Sequence, residues 1–315
     1  MTEEVVDRTK FLGGSDVAAV LGISKWRTPA QLAEEKRRPR VEEGKGPKRA
    51  VLDRGKRWEP VARAMLIDAL TDEGFEVEIA GINQRYTDPE FGFLAAEIDA
   101  ELFISGNGLE RSLVNCEIKT VHPFALKEWK IDEGGGGELP IYYEAQVQHG
   151  LMVTNRQITI VGALVGADYI IPMITYRDNG LISAMRPKLV DFWQRYVLGD
   201  ELPEAINIED VRRLYKPTLE GIEATDDIFY QYLRLKAIKS EGKAREDEQA
   251  AIEFAIGMFM GSHQSLLSRD GKELLTFKEQ SGSFIDVSAL KESYPKIHKE
   301  LTRKWTKRIL KARGD

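Results

Sequence analysis

Val114-Asn115-Cys116-Glu117-Ile118-Lys119-Thr120 is the stretch on which the reading of this chain turns. It is short, apolar and β-branched, and it predicts a strand. Successive side chains on a strand alternate faces, so Glu117 and Lys119 share one side while Cys116 and Ile118 share the other. A buried carboxylate or ammonium without a partner costs several kcal/mol, so the two charges need a reason to sit there. Glu-x-Lys also occurs at Glu34/Lys36, Glu43/Lys45, Glu128/Lys130 and Glu241/Lys243, all in polar or helix-like surroundings. Only Glu117/Lys119 stands in an apolar run. A solvated salt bridge on an edge strand satisfies the same spacing.

The run before it, Phe91 to Ile104, reads as a second strand and carries Asp99. Ser105-Gly-Asn-Gly108 between them is a turn, since glycine and asparagine tolerate positive φ. The resulting hairpin brings Asp99 towards Glu117. Two carboxylates with hard oxygen ligands suit one or two Mg²⁺ ions, which lower the pKa of bound water and neutralise a phosphate. A neighbouring lysine can orient the water or stabilise the oxyanion. The constellation therefore points to phosphodiester hydrolysis.

Composition narrows the classes. The single cysteine excludes a disulfide framework and any Cys-based zinc or iron–sulfur site, and it fits a reducing cytoplasm. No apolar run reaches the roughly 18 residues of a membrane span, so no membrane is expected. A net charge of −6 argues by itself against a nucleic-acid partner. Distribution matters more: from Lys296 onward eight lysines and arginines face only Glu300 and Asp315. That tail predicts either a phosphate contact or a solvated basic helix.

Upstream, Leu12-Gly-Gly-Ser15-Asp-Val-Ala-Ala-Val-Leu21-Gly predicts a glycine turn, Ser15 as N-cap, and a short helix closed by Gly22. Amides and a hydroxyl at a helix start can hold an anion, or simply cap the helix. A second helix is expected from about Ala30 to Lys36, and the charge-rich stretch 37–48 reads as a surface loop. From Ala50 the apolar residues recur at helical spacing, with Glu59 among them. Glu59 therefore lies at the rim or faces a metal or lysine. Strands are expected at 75–84, 157–165 and 169–176. Helices are expected at 124–129, around Gln146 and Gln148, and from Leu181 to Leu198. Strands bearing acids between helices imply an α/β core.

Taken together, several motifs carry a resemblance: Gly-Gly-Ser-Asp followed by Leu21-Gly-Ile-Ser-Lys-Trp26 and Thr28-Pro, then Arg54-Gly-Lys-Arg-Trp-Glu59-Pro, Asp99, Glu117-Ile-Lys119-Thr and Pro140-x-x-Tyr143-x-x-Gln146-x-Gln148. In this order they are similar to the YqaJ-type viral recombinase family, phage nucleases related to lambda exonuclease within the PD-(D/E)xK superfamily. The resemblance spans about residues 8 to 200. It implies a restriction-endonuclease-like core, a mixed central sheet flanked by helices. It makes Glu59, Asp99 and Glu117 metal ligands with the Ile118 carbonyl, Lys119 the catalytic lysine, and Gln146 its helper. Arg8 and Ser15 fall where related exonucleases hold a terminal 5′-phosphate. The family often has Ser-Pro-Asp-Gly around the aspartate, whereas here it is Glu97-Ile98-Asp99-Ala100, so Glu97 could add a carboxylate or replace Asp99 as the ligand.

The implied activity is Mg²⁺- or Mn²⁺-dependent degradation of double-stranded DNA from 5′ ends. It leaves 3′ strands for a single-strand annealing protein. Some members are ring-shaped homotrimers. A non-catalytic DNA-binding or assembly module, or a structure-specific endonuclease or resolvase, uses the same fold. Residues 1–203 form the expected nuclease core. Residues 204–315 form an accessory α+β module: a helical pair at 226–243 and 244–260, a hairpin with an Asp270-Gly271 turn, and a basic C-terminal helix.

Overall fold

The computed structural model describes residues 7–38, 47–131, 137–216, 221–269, 271–279, 281–283, 285–304 and 306. Most of the charge-rich stretch 37–48, the glycines at 134–136, Asp270 and half of the basic tail lie outside the described residues.

Five strands build the sheet of the N-terminal part: β1 (Glu76–Thr87), β2 (Ala95–Gly106), β3 (Leu109–Val121), β4 (Ile158–Val165) and β5 (Tyr169–Tyr176). They lie in the order β1-β2-β3-β4-β5, so β3 is the middle strand. The β3–β4 pair is parallel and the other three are antiparallel. The expected β2–β3 hairpin forms, and its turn uses Asn107 at φ 49° and Gly108 at φ 82°. Both angles are left-handed, which suits a two-residue turn between twisted strands. A parallel neighbour requires a crossover. Here it is a 3₁₀ turn (Pro123–Trp129) followed by a helix, α4 (Ile141–Thr154). β4 is buried along its whole length, as its mostly apolar run predicts.

Helices cover both faces. On one, Leu66 and Leu70 of α3 (Pro47–Asp72) pack against Ala100, Leu102, Val114, Cys116 and Ile160. Gly162 permits this approach, since a Cβ there would lie 3.0 Å from Leu66 and 3.1 Å from Ile118. On the other, Val147 and Leu151 of α4 meet Val161, Ala163 and Val165. Beside α4, α1 (Gly14–Val20), α2 (Pro29–Arg37) and α5 (Asn179–Phe192) enclose Leu12, Val17, Leu32, Ile98, Met185 and Leu189. This is a mixed central sheet flanked by helices, as the sequence predicts.

Three local expectations change. Ser15 is not the N-cap of α1: Gly13 is, and Ser15 stands in the first turn. The capping carboxylate is that of Asp16, which accepts the Gly13 N–H at 2.9 Å. The segment 181–198 is α5 continued by a π-type turn, Trp193–Leu198. The helical pair at 226–260 is one uninterrupted helix, α7 (Asp226–Met260). Gly242 does not break it, because one interior glycine costs only about 1 kcal/mol.

The chain divides into compact units at Met1–Tyr215 and Lys216–Asp315, after the short helix α6 (Ile208–Leu214) rather than at Pro203. Buried Asp210 of α6 accepts the Thr28 hydroxyl at 2.7 Å, which ties α6 to the start of α2. The second unit comprises α7, the hairpin β6 (Ser265–Leu267) and β7 (Glu273–Thr276), and the helices α8 (Val287–Ser293) and α9 (Pro295–Leu301).

Candidate active site

The paired register of β2 and β3 runs from the turn to Ala100 opposite Cys116. Just beyond, the Asp99 side chain takes over: its Oδ2 accepts the Ile118 N–H at 2.8 Å. Ala96 and Ile98 belong to the core under α1 and α4, whereas Ala100 and Leu102 belong to the core under α3. Asp99 thus occupies the point where β2 changes face. A backbone amide left by the parting strands must find a partner, and the carboxylate supplies one.

On β3, Glu117 and Lys119 share a face, and Lys119 Nζ donates to Glu117 Oε1 at 2.5 Å. Their side chains are only 11% and 17% exposed on the middle strand, which rules out a solvated edge-strand salt bridge. Cys116 and Ile118 pack on the opposite face against the α3 core. Gln146 of α4 closes the triangle: its Nε2 donates to Glu117 Oε1 at 2.6 Å, and its Oε1 accepts from Lys119 at 3.2 Å. The backbone of α1 comes close enough that a Cβ on Gly14 would stand 3.0 Å from Gln146 Cγ. Gln148, one turn-step along, plays another part. It bonds Glu144, the Tyr176 carbonyl and the Asp178 amide, and it is structural.

Burial pushes the Asp99 carboxyl well above the usual carboxylate range, and the charges of Glu117 and Glu59 push the same way. Lys119 and the Ile118 amide offset part of this. For Lys119, burial favours the neutral amine, but Glu117 and Asp99 outweigh it and hold the pKa above the ordinary lysine value. Lys119 is therefore an ammonium, a donor rather than a base. Burial raises the Cys116 thiol far from any thiolate role.

Glu59 projects from α3, partly exposed, with Arg63 Nη1 at 3.6 Å. Among the described residues, no three His, Cys, Asp or Glu side chains converge tightly enough to form a metal cage. A divalent cation nevertheless fits the chemistry of Asp99 and Glu117. The two carboxyls are crowded in a buried place, a strain that a cation would relieve, and Mg²⁺ is commonly held by one or two carboxylates plus water and phosphate oxygens.

The N-terminal segment lies along the start of β2. Leu12 N–H donates to Phe93 O at 2.7 Å, and Ala95 N–H donates to Leu12 O at 3.0 Å. This brings Arg8 to Ser15, with Nη2 donating to Oγ at 2.9 Å, and places Arg8 Nη1 3.6 Å from Glu97. A cavity of about 160 Å³ is lined by Arg8, Ser15, Glu97, Asp99, Glu117 and Gln146, so both predicted groups meet in one place. Glu97 pairs with Arg8 there.

The profile of the YqaJ-like viral recombinase domain matches residues 5–157. That part of the chain is similar to the YqaJ-like viral recombinase domain. The chain is 25% identical over 322 residues to the uncharacterized protein YqaJ of Bacillus subtilis (strain 168), covering 96% of this chain and 90% of that one. Among solved structures it is similar to an alkaline exonuclease, LHK-Exo, from Laribacter hongkongensis (19% identity, 60% of this chain and 89% of that one, TM-score 0.45). It is also similar to a phage related exonuclease from Haemophilus somnus 129PT (15% identity, 60% and 94%, TM-score 0.38).

Within the matched region, the supporting groups around Ser15 escaped the sequence reading. Asp16 is buried between two cations, Lys36 Nζ at 2.6 Å and Arg27 Nη2 at 2.7 Å. Burial works against the Asp16 carboxylate, but the charges of Lys36 and Arg27 outweigh it and hold the group below its ordinary pKa. Lys36 also donates to the carbonyls of Arg8 and Phe11, each at 2.7 Å. Arg27 donates to the Ser15 carbonyl at 2.9 Å. The available clue was the aspartate of Gly-Gly-Ser-Asp. Lys36 belonged to a Glu-x-Lys pair set aside as polar.

Proposed function

We propose that this protein is a Mg²⁺-dependent exonuclease that degrades double-stranded DNA from its 5′ ends. What supports this reading is one arrangement. Asp99 and Glu117 line the same cavity as Arg8 and Ser15, with Lys119 bonded to Glu117. Carboxylates for a cation, an ammonium for an oxyanion, and an arginine–hydroxyl pair for a terminal phosphate are the parts such a reaction needs.

Asp99 and Glu117 would hold the ion with the Ile118 carbonyl, and Glu59 would have to swing from its Arg63 pairing on α3 to join them. Bound there, Mg²⁺ supplies a water of lowered pKa and neutralises phosphate charge; Mn²⁺ serves the same role. Lys119, fixed by Glu117 and Gln146, donates to the attacking water or to a non-bridging phosphate oxygen. Gln146 keeps the lysine and the glutamate in register. Arg8 and Ser15 grip the terminal 5′-phosphate, Arg8 through a bidentate fork. The 3′ strands left behind suit a single-strand annealing protein. A homotrimeric ring would keep the duplex threaded between cuts.

The test is incubation with linear and circular duplex DNA in Mg²⁺. Linear DNA should disappear, circular DNA should persist, and EDTA should stop the reaction. Asp99→Ala, Glu117→Ala and Lys119→Ala should each lose orders of magnitude in rate while still binding DNA. Near-parental cutting by Glu117→Ala would overturn the site assignment. Cutting of circular DNA would favour an endonuclease, and binding without any cutting a non-catalytic module.

A further inference from the structure

A second cavity, of about 260 Å³, includes Ser15 and Gln146 of the first cavity's lining and also reaches Lys119. Its remaining walls are the aromatic rings of Trp26, Tyr142 and Tyr143, with Ala18, Ser24 and Arg27. Trp26 is 62% exposed, which is unusual for so large an apolar ring. It is nevertheless held in place. Its ring meets Tyr142 edge-on with centroids 4.9 Å apart, and Tyr143 lies 6.1 Å away. Tyr142 is fixed by donating its hydroxyl to Glu128 at 2.8 Å, and Lys25 donates to the same carboxylate oxygen at 2.5 Å. The loop itself is tied down, with Trp26 N–H on the Ser24 hydroxyl at 3.1 Å and Arg27 on buried Asp16.

A rigid exposed indole beside two tyrosines offers a flat π surface. The cations around it, Lys119 and Arg27, favour a ligand that also carries negative charge. An aliphatic ligand would gain little from the rings, and a simple anion little from the indole. A nucleobase attached to its phosphate satisfies both. A base inside a duplex is already stacked on its neighbours, so only an unpaired one can enter.

We infer that this aromatic cavity is a base-stacking subsite, in which Trp26 receives one unpaired base of the strand whose phosphate lies at Lys119. The inference rests on the DNA-end reading above. It assigns the Trp26 loop the task of holding the terminal nucleotides out of the duplex. The subsite tolerates any base, because every base has a π face.

The experiment measures binding without turnover. Fluorescence anisotropy in EDTA follows a 5′-phosphorylated duplex with two unpaired 5′ nucleotides, and the same DNA with both nucleotides abasic. Loss of the bases should weaken binding by the parent protein roughly 5- to 150-fold, the range expected for one stacked base. Trp26→Ala should weaken binding of the intact DNA by the same factor and leave abasic DNA unaffected. Trp26→Phe, which keeps an aromatic face, should restore most of the difference. Matching thermal midpoints of the variants establish that the fold is intact. Equal weakening of both DNAs by Trp26→Ala, or of neither, would overturn the subsite. Base-dependent binding by a protein that fails to cut linear DNA would overturn the exonuclease reading alone. No binding of either DNA by the parent would overturn both.

Discussion

Replacing Lys36 by methionine tests how the N-terminal arm is held over the site. The ammonium makes three short bonds, to Asp16 Oδ2 at 2.6 Å and to the Arg8 and Phe11 carbonyls at 2.7 Å. All lie in a place where Lys36 is 8% and Asp16 2% exposed. Methionine preserves most of the volume but removes every donor. Asp16 keeps Arg27 and the Gly13 amide, while two carbonyls lose their partner. Breaking a buried pair from one side costs about 3–5 kcal/mol, since the remaining charge stays buried. With a urea slope of about 2–3 kcal/mol/M, the midpoint should fall by roughly 1–2.5 M. Equilibrium urea unfolding followed by far-UV circular dichroism measures it. Asp16→Asn should be costly too, and the double variant should cost clearly less than the sum of the two. A Lys36→Met midpoint within about 0.3 M of the parent, under ~1 kcal/mol, would refute the argument that this ion cluster pins the arm.

Other outcomes follow from the same geometry. Arg8→Ala removes the guanidinium beside Ser15, so the preference for 5′-phosphorylated over 5′-hydroxyl ends should fall roughly ten- to a hundred-fold, read as a ratio of digestion rates. Gly14→Ala places a methyl 3.0 Å from Gln146 Cγ and should shift the Gln146–Lys119–Glu117 triangle. The turnover rate should drop by up to about a hundred-fold, with duplex affinity unchanged in a binding assay. His149 is fully buried, with Nε2 2.9 Å from the Ala95 carbonyl. Burial lowers its pKa below the ordinary 6.5, against smaller opposing effects of that carbonyl, Asp16 and Asp88. The unfolded chain therefore takes up the proton first as pH falls. The stability from neutral His149 is fully present above about pH 6.5 and declines below it by up to about 1.4 kcal/mol per pH unit. His149→Gln should flatten that decline in urea midpoints measured at pH 7, 6 and 5.

Much of the architecture follows from local pattern. The Cys116-Glu117-Ile118-Lys119 alternation and the mostly apolar run 158–165 distinguish a middle strand that carries a charged pair on one face from a strand buried throughout. The Asn107-Gly108 turn is legible because few other residues adopt positive φ cheaply. Local reading fails where the competing choices differ by about a kcal/mol. Ser15 and Asp16 both cap helices well, and only the position of Gly13 in space decides that Asp16 does so here. Gly242 reads as a break, yet α7 runs through it.

By itself, the sequence determined the strand pair that carries Asp99, Glu117 and Lys119, since a period of two fixes which side chains share a face. A single cysteine also ruled out a disulfide framework and a Cys-based metal cluster within the chain. What required the tertiary structure is every relation between distant segments. Arg8 reaches Glu97 only because Leu12 bonds to Phe93 and Ala95. Lys36 looks like any surface lysine until the packing of α2 buries it beside Asp16. Trp26 joins Tyr142 only when α1 and α4 come together. Periodicity encodes a residue's direction relative to its own strand or helix, not which distant charge or ring will meet it. That depends on how the elements pack, and packing is set by the whole chain at once.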